Sequence, residues 1–232
     1  MWQRKELRTL SSVLSGRVRS QGDQKPAITI HPKSNRWEDR VAARDYTNSQ
    51  LEVWDFISGR LRPELGGKPE HLDIVGVNYY AHNQWIDGGT WIEVDHPRCC
   101  PLHHILRNIY ARYGRPMFIA ETGIEARERP LWLRFLAGEV AQARALGVPI
   151  EGICWYPITD YPGWLDGRHC PAGLLGYVEP DGRRPVHQPL ADEILCQSAC
   201  HVQTGAEADD QPSAAAQQGI PARGCPERAG VG

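Results

Sequence analysis

What most restricts the fold of this 232-residue chain is a set of four short apolar runs, each ending in polar or aromatic residues and each separated from the next by a longer segment. The runs are Ala27 to Ile30, Leu72 to Tyr80, Pro116 to Ala120 and Ile150 to Pro157. Their central isoleucines, Ile28, Ile74, Ile119 and Ile153, stand 46, 45 and 34 residues apart, room for one crossover helix and two loops each time. Strands alternating with helices at this interval imply an α/β fold with parallel strands and right-handed crossovers, in an open doubly wound sheet or a (β/α)₈ barrel. A full eightfold barrel takes about 250 residues. Four roomy units therefore read as half a barrel.

The intervening segments carry helical periodicity. Val41, Tyr46, Leu51, Trp54 and Ile57 predict one helix from about Trp37 to Leu61, ended by Pro63 and Gly66-Gly67. Leu102, Ile105, Leu106 and Ile109 form one stripe of a helix over 101–113. Another is expected over 130–146, with proline near its start and Gly147 just past its end. A first helix is expected from Gln3 to Gln21. From His201 to Gly232 the aliphatics beyond alanine are Val202, Ile220 and Val231, too few to offset ordering entropy. The expected organisation is a domain over 1–200 and a disordered tail over 201–232.

Charge and cysteine usage narrow the function. Lys+Arg 26 against Asp+Glu 28 gives a formal charge of −2, and no basic run exceeds Arg183-Arg184, which argues against a nucleic-acid partner. No stretch approaches the roughly 18 apolar residues of a membrane span, and the N-terminus lacks the greasy core of an export signal, so no membrane partner and a cytoplasmic location are expected. Seven cysteines, an odd number in a chain this long, read as reduced thiols. Cys99, Cys100, His103 and His104 lie close together. Neither adjacent pair has the two-to-four-residue separation that aims both members at one ion, so no metal is expected.

In parallel α/β folds the site gathers at the carboxyl ends of the strands. Here those ends are His31, then Asn78-Tyr79-Tyr80, then Glu121, then Trp155. An imidazole, an amide, phenols, a carboxylate and an indole on one rim suit a polyhydroxylated ring, with polar groups for hydroxyls and aromatic faces for the C–H side. Glu121 is the most telling of them, because a charge set directly after Met117-Phe118-Ile119-Ala120 is costly unless it is paired or used.

Three strings carry a resemblance. Asp73 to Tyr80 (DIVGVNYY) is similar to the D-F-I-G-I-N-Y-Y strand of family 1 β-glucosidases, Pro116 to Gly123 (PMFIAETG) to their P-I-Y-I-T-E-N-G strand, and Trp155 to Trp164 to their W-S-L-x-D-N-F-E-W segment. Their order and spacing agree over roughly 72–164. The resemblance implies strands five to eight of a (β/α)₈ barrel and a retaining glycosidase needing no cofactor. It makes Glu121 the nucleophile, with Asn78 and Tyr80 hydrogen-bonded around it. Trp155 becomes the floor of the sugar subsite, beside an unusual peptide bond to Tyr156, and Asp160 and Trp164 lie near sugar hydroxyls. Tyr79, His31, Trp85, His82 and Asn83 are weaker lining candidates on position alone.

Two departures stand out. Gly163 occupies the position before Trp164 where the family carries a glutamate that clamps sugar hydroxyls. The family's acid/base ends its fourth strand in Asn-Glu, a dipeptide absent here. Retaining hydrolysis needs two carboxyl groups about 5–5.5 Å apart, and only Glu125 and Asp160 are near enough in sequence to be considered as substitutes. The expectation is a β-glycoside-directed chain that is inactive alone, and that either needs a complementary half-barrel or self-association or exists as an unstable gene fragment. A noncatalytic carbohydrate-binding fragment and a metal-dependent hydrolase using His31, His82, His103 or His104 are the alternatives.

Overall fold

A computed structural model describes residues 24–163 and 165–206. The expected helix over Gln3 to Gln21, Trp164, and the tail beyond Ala206 lie outside the described residues. Four parallel strands form the main sheet in the order β1 (Gln24–Pro26), β3 (Val75–Asn78), β5 (Met117–Thr122), β6 (Ile150–Trp155). Helix α3 (Leu102–Tyr113) joins β3 to β5, and α4 (Arg129–Ala145) joins β5 to β6. This is the expected α/β arrangement.

One face of the sheet is packed beneath those two helices. Val75, Val77 and Tyr79, then Met117 and Ile119, then Ile150 are buried against Leu102, Ile105, Leu106 and Ile109 of α3 and Trp132, Leu136 and Val140 of α4. The stripe predicted on α3 is the one that is buried, each such side chain contributing roughly 1.5–3 kcal/mol. Gly114 and Gly147, at φ +63° and +82°, end the helices in the left-handed region that glycine tolerates best.

Three expectations are corrected. The predicted single helix over Trp37 to Leu61 is two, α1 (Trp37–Ser49) and α2 (Glu52–Ile57). The break falls at Gln50-Leu51, just after Ser49, whose hydroxyl donates to the Tyr46 carbonyl at 2.8 Å, and the Tyr113 hydroxyl draws the Leu51 carbonyl toward the core at 3.1 Å. The first strand of the main sheet is Gln24–Pro26 rather than Ala27 to Ile30. The Asn83 amide donates to both the Ala27 and Asn78 carbonyls, at 3.3 and 3.2 Å, and splits the chain. Beyond the split, β2 (Thr29–His31) pairs with β4 (Gln84–Ile86) in a separate two-stranded sheet. Asn83, expected to line the site, is thus a buried brace. The last helix described is α5 (Gln188–Ala206).

Candidate active site

The β3–β5 pair carries the site. Along β5, strict alternation would send Glu121 to the face of Met117 and Ile119, under the helices. A bulge prevents it. Val77 pairs with Ile119 but Asn78 pairs with Glu121, so Ala120 and Glu121 together oppose one residue. The extra residue turns Glu121 away from the helices and hands the core position to Thr122. Thr122 is fully buried, donating to the Tyr79 carbonyl at 2.7 Å and accepting the Trp132 indole N–H at 2.8 Å.

Tyr80 completes the contact, its hydroxyl donating to Glu121 Oε2 at 3.2 Å. Burial, and next the Glu121 charge, hold the Tyr80 phenol well above the usual tyrosine range, so it stays a donor to a carboxylate. Tyr156 and Tyr161 lie near enough to push it in the same direction. Asn78 stands across from Glu121 in register, and its buried Oδ1 has no hydrogen-bond partner among the described residues. A buried acceptor without a protein partner is a cost that asks for a reason, a catalytic role among them. Glu121, Tyr80 and Asn78, the three residues predicted to do chemistry, are therefore brought together.

The predicted lining residues divide. Trp155 ends β6 opposite Thr122, half-buried, its indole N–H donating to the Ala172 carbonyl at 3.0 Å. The next residue's carbonyl presses on Gly123: a β-carbon there would lie 2.0 Å from the Tyr156 oxygen. The cis peptide bond is Tyr156–Pro157, one residue later than expected. Tyr79 is a correction. Alternation puts it on the helix face, stacked on Trp132 at 6.1 Å between centroids, with its hydroxyl accepting from Gln84 at 3.1 Å. His31 and Trp85 sit on the small β2–β4 sheet, the first bonded to Gln84 at 3.0 Å and the second edge-on to Tyr46 at 6.1 Å. Among the described residues no hydrogen bond or ring contact joins either to Glu121. Burial holds the His31 imidazole below its ordinary pKa, which suits a neutral structural role.

Asp160 is a further correction. It is buried, and its carboxylate accepts the Gly173 N–H at 2.8 Å and engages His169 at 2.9 Å, with the Arg129 guanidinium 3.9 Å away. It braces the loop after β6 rather than facing a hydroxyl. Glu125, the other acid weighed, is clasped by Arg168 through two bonds of 2.8 Å. Those bonds hold its carboxyl below the usual range, so it remains ionised and has no proton to give.

One exposed aromatic beside the small β2–β4 sheet had no separate signal in the sequence. Trp91, which the hairpin after β3 brings back antiparallel to Trp85, is exposed and stacks on His82 at 4.4 Å. Its only mark in the sequence is an isolated tryptophan after Gly88-Gly89. Of the histidines and cysteines considered for metal, His103 is bonded to Glu139 at 2.9 Å and Cys99 to Gln84 at 3.3 Å. Among the described residues no three His, Cys, Asp or Glu side chains converge, and no helix is long and apolar enough to cross a membrane.

Comparison with solved structures agrees with this architecture. The β-glycosidase of Thermosphaera aggregans superimposes with a TM-score of 0.59 at 20% identity, over 76% of this chain and 43% of that one. The family 1 β-glucosidase of Thermotoga maritima gives 0.57 at 17% identity, over 76% and 50%. The Pyrococcus furiosus β-glucosidase gives 0.56 at 18%, over 78% and 41%. The chain has a family 1 β-glucosidase-like α/β fold and spans about half the length of these structures or less. No known family profile matches the chain, and no curated protein matches it in sequence.

Proposed function

We propose that the chain is a β-glycoside-directed glycoside hydrolase unit in which Glu121 is the nucleophile. The observation that carries this reading is the bulge at Ala120-Glu121, which places the carboxylate against the Tyr80 hydroxyl and opposite Asn78, at the carboxyl end of a sheet whose fold is glycosidase-like. In the step envisaged, the Glu121 carboxylate attacks the anomeric carbon, the glycosidic C–O bond breaks, and its electron pair leaves with the aglycone oxygen. The Tyr80 donor orients the attacking carboxylate. The sugar's apolar face rests toward Trp155. Structures of the Thermotoga maritima β-glucosidase in complex with glucoimidazole and with deoxynojirimycin support a carbohydrate ligand here.

Glu125 and Asp160 are both engaged, so the proton for the leaving oxygen is assigned to a group outside the described residues. We place it on a complementary half-barrel or a second copy. A nucleophile can be tested without that group, because fluoride departs without protonation. Incubation with a 2-deoxy-2-fluoro-β-glucosyl fluoride should attach a fluoroglucosyl group to Glu121, located by peptide mass spectrometry and abolished in Glu121→Gln. Labelling elsewhere, or equal labelling of the variant, overturns the assignment. Sugar binding without labelling selects the noncatalytic carbohydrate-binding reading instead.

A further inference from the structure

The main sheet is packed on one face only. Val75, Val77, Met117, Ile119, Ile150 and Ile153 meet the helices, and both hydrophobic clusters of the described residues draw on that side. The other face carries Gly76, Phe118, Ala120, Gly152 and Cys154, none of which belongs to either cluster. Contact and alternation fix their common orientation. The Phe118 ring and the Ala120 β-carbon lie 3.2 Å from where a β-carbon of Gly76 would stand, and Gly152 and Cys154 flank the helix-facing Ile153 along β6. At Gly152 this face is open, since a β-carbon there would meet no atom within 4 Å.

Parallel sheets are ordinarily covered on both faces. The strands here also follow one another in chain order, β1-β3-β5-β6, and among the described residues no strand pairs with the outer edge of β1 or of β6. A doubly wound sheet reverses its strand order and sends helices to both faces, so an unreversed order with helices on one face is an arc of a barrel. Eight strands make the ring whose interior side chains just fill it. Four are present. At the foot of β6 the outward Ile150 carbonyl is met by Arg144 at 2.8 Å, which leaves the remainder of that strand as the pairing edge. The formal charge of −2 sets little repulsion between two copies.

We propose that the uncovered face and its two free edges dock a second copy of this chain, β6 of each copy pairing in parallel with β1 of the other to close an eight-stranded barrel about a two-fold axis. The two seams are related by that axis, so assembly stops at two copies. The shared interior receives Gly76, Phe118, Ala120, Gly152 and Cys154 from each, small residues around one large ring per copy. In the closed ring β5 is third and its counterpart seventh, diametrically opposite, so Glu121 of one copy faces Glu121 of the other across the rim. The rim thereby gains the second carboxyl group that the engaged Glu125 and Asp160 do not provide. That consequence rests on the glycoside reading, whereas the docking rests on the fold alone.

The test weighs the full chain by sedimentation equilibrium, follows Cys154 by iodoacetamide modification and peptide mass spectrometry, and applies the fluoroglucosyl fluoride label to the same samples. Gly152→Arg is the informative variant. One copy has open space for the side chain, but the closed barrel would bury its charge unpaired. The expected result is twice the 26.0 kDa of one chain for the wild type, with Cys154 increasingly protected as concentration rises. Gly152→Arg and Phe118→Lys, each with native circular dichroism, should give the single-chain mass and a reactive Cys154. A wild type that stays at one chain overturns the docking: Cys154 protection then assigns the cover to this chain's own terminal segments, and Cys154 reactivity assigns it to a different half-barrel. Masses that climb past two copies overturn it as well, because the seams then fail to close. A dimer left intact by both variants overturns the choice of face. Labelling is scored apart from mass. A labelled Glu121 in a single-chain species leaves the glycoside reading standing without the docking, and an unlabelled dimer leaves the docking standing without the nucleophile.

Discussion

The α-carbon of Gly123 lies directly beneath the carbonyl of Tyr156, so close that a β-carbon would sit 2.0 Å from the oxygen. This contact locks the turn after β5 against the end of β6, where the Tyr156 N–H also donates to the Thr122 carbonyl at 2.8 Å. Two backbones touching cannot yield by a rotamer change. Gly123→Ala should therefore destabilise the fold by about 1–3 kcal/mol through overpacking, read as a fall in the urea midpoint at unchanged slope. An unchanged midpoint would mean that the turn moves freely.

The Tyr80–Glu121 pair makes a spectroscopic prediction. The folded-state pKa of the Tyr80 phenol is raised, by burial first and the Glu121 charge second, above the ordinary tyrosine value of about 10. A raised pKa means that folding favours the protonated form. That contribution to stability is complete below about pH 10 and is lost as pH rises above it toward the folded-state value. In ultraviolet titration at about 295 nm, wild type minus Tyr80→Phe should show one phenol ionising later than ordinary tyrosine, and Glu121→Gln should bring it earlier. A phenol indifferent to Glu121→Gln would contradict the contact.

How much of this was legible in the sequence depends on the scale of the question. Continuous apolar runs and helical stripes are properties of single segments, so β3, β5, β6, α3 and α4 could be read directly, and so could the strand-end position of Glu121. What the sequence hid were relations between segments. The bulge that aims Glu121 depends on how β5 pairs with β3, and alternation alone would have buried the carboxylate and exposed Thr122. Tyr79 and Tyr80 look equivalent as letters but point to opposite faces. His31 and Trp85 left the rim because one amide, Asn83, diverts the chain after Pro26. Asp160 was expected on the correct loop in the wrong role, since Gly173, thirteen residues on, supplies the N–H that claims it.

The clasp between Arg168 and Glu125 spans the loops after β5 and β6, and both side chains are substantially exposed. Exposed pairs contribute little to folding and weaken with salt, so its effect should be local. Because the Glu125 carboxyl is held below its ordinary range, any stabilisation from it is present above about pH 4.3 and declines as pH falls through the folded-state value. Arg168→Gln should leave the thermal midpoint near the wild-type value while NMR titration shows the Glu125 carboxyl moving back up. A large drop in midpoint would show that the clasp organises more than its own two loops.

Asp55 is a different kind of ion pair. Its carboxylate, 7% exposed, accepts from Arg112 Nε at 2.8 Å and Nη2 at 2.5 Å, and from the Tyr113 hydroxyl at 2.9 Å, tying α2 to the last turn of α3. Burial first and Asp55 second hold the Tyr113 phenol high, and the bonds to Asp55 hold the Arg112 guanidinium charged. Removing the carboxylate strands a cation whose side chain is only 30% exposed. Losses from broken buried pairs run to about 3–5 kcal/mol, and partial hydration of Arg112 reduces this, so Asp55→Asn should cost about 2–3 kcal/mol. If the cost comes from the stranded charge rather than from lost packing, Asp55→Leu combined with Arg112→Met should recover most of it, because neither partner is then buried alone. Urea unfolding of the two variants decides the point, and a double variant no more stable than Asp55→Asn would show that the pair holds α2 by geometry, not by charge balance.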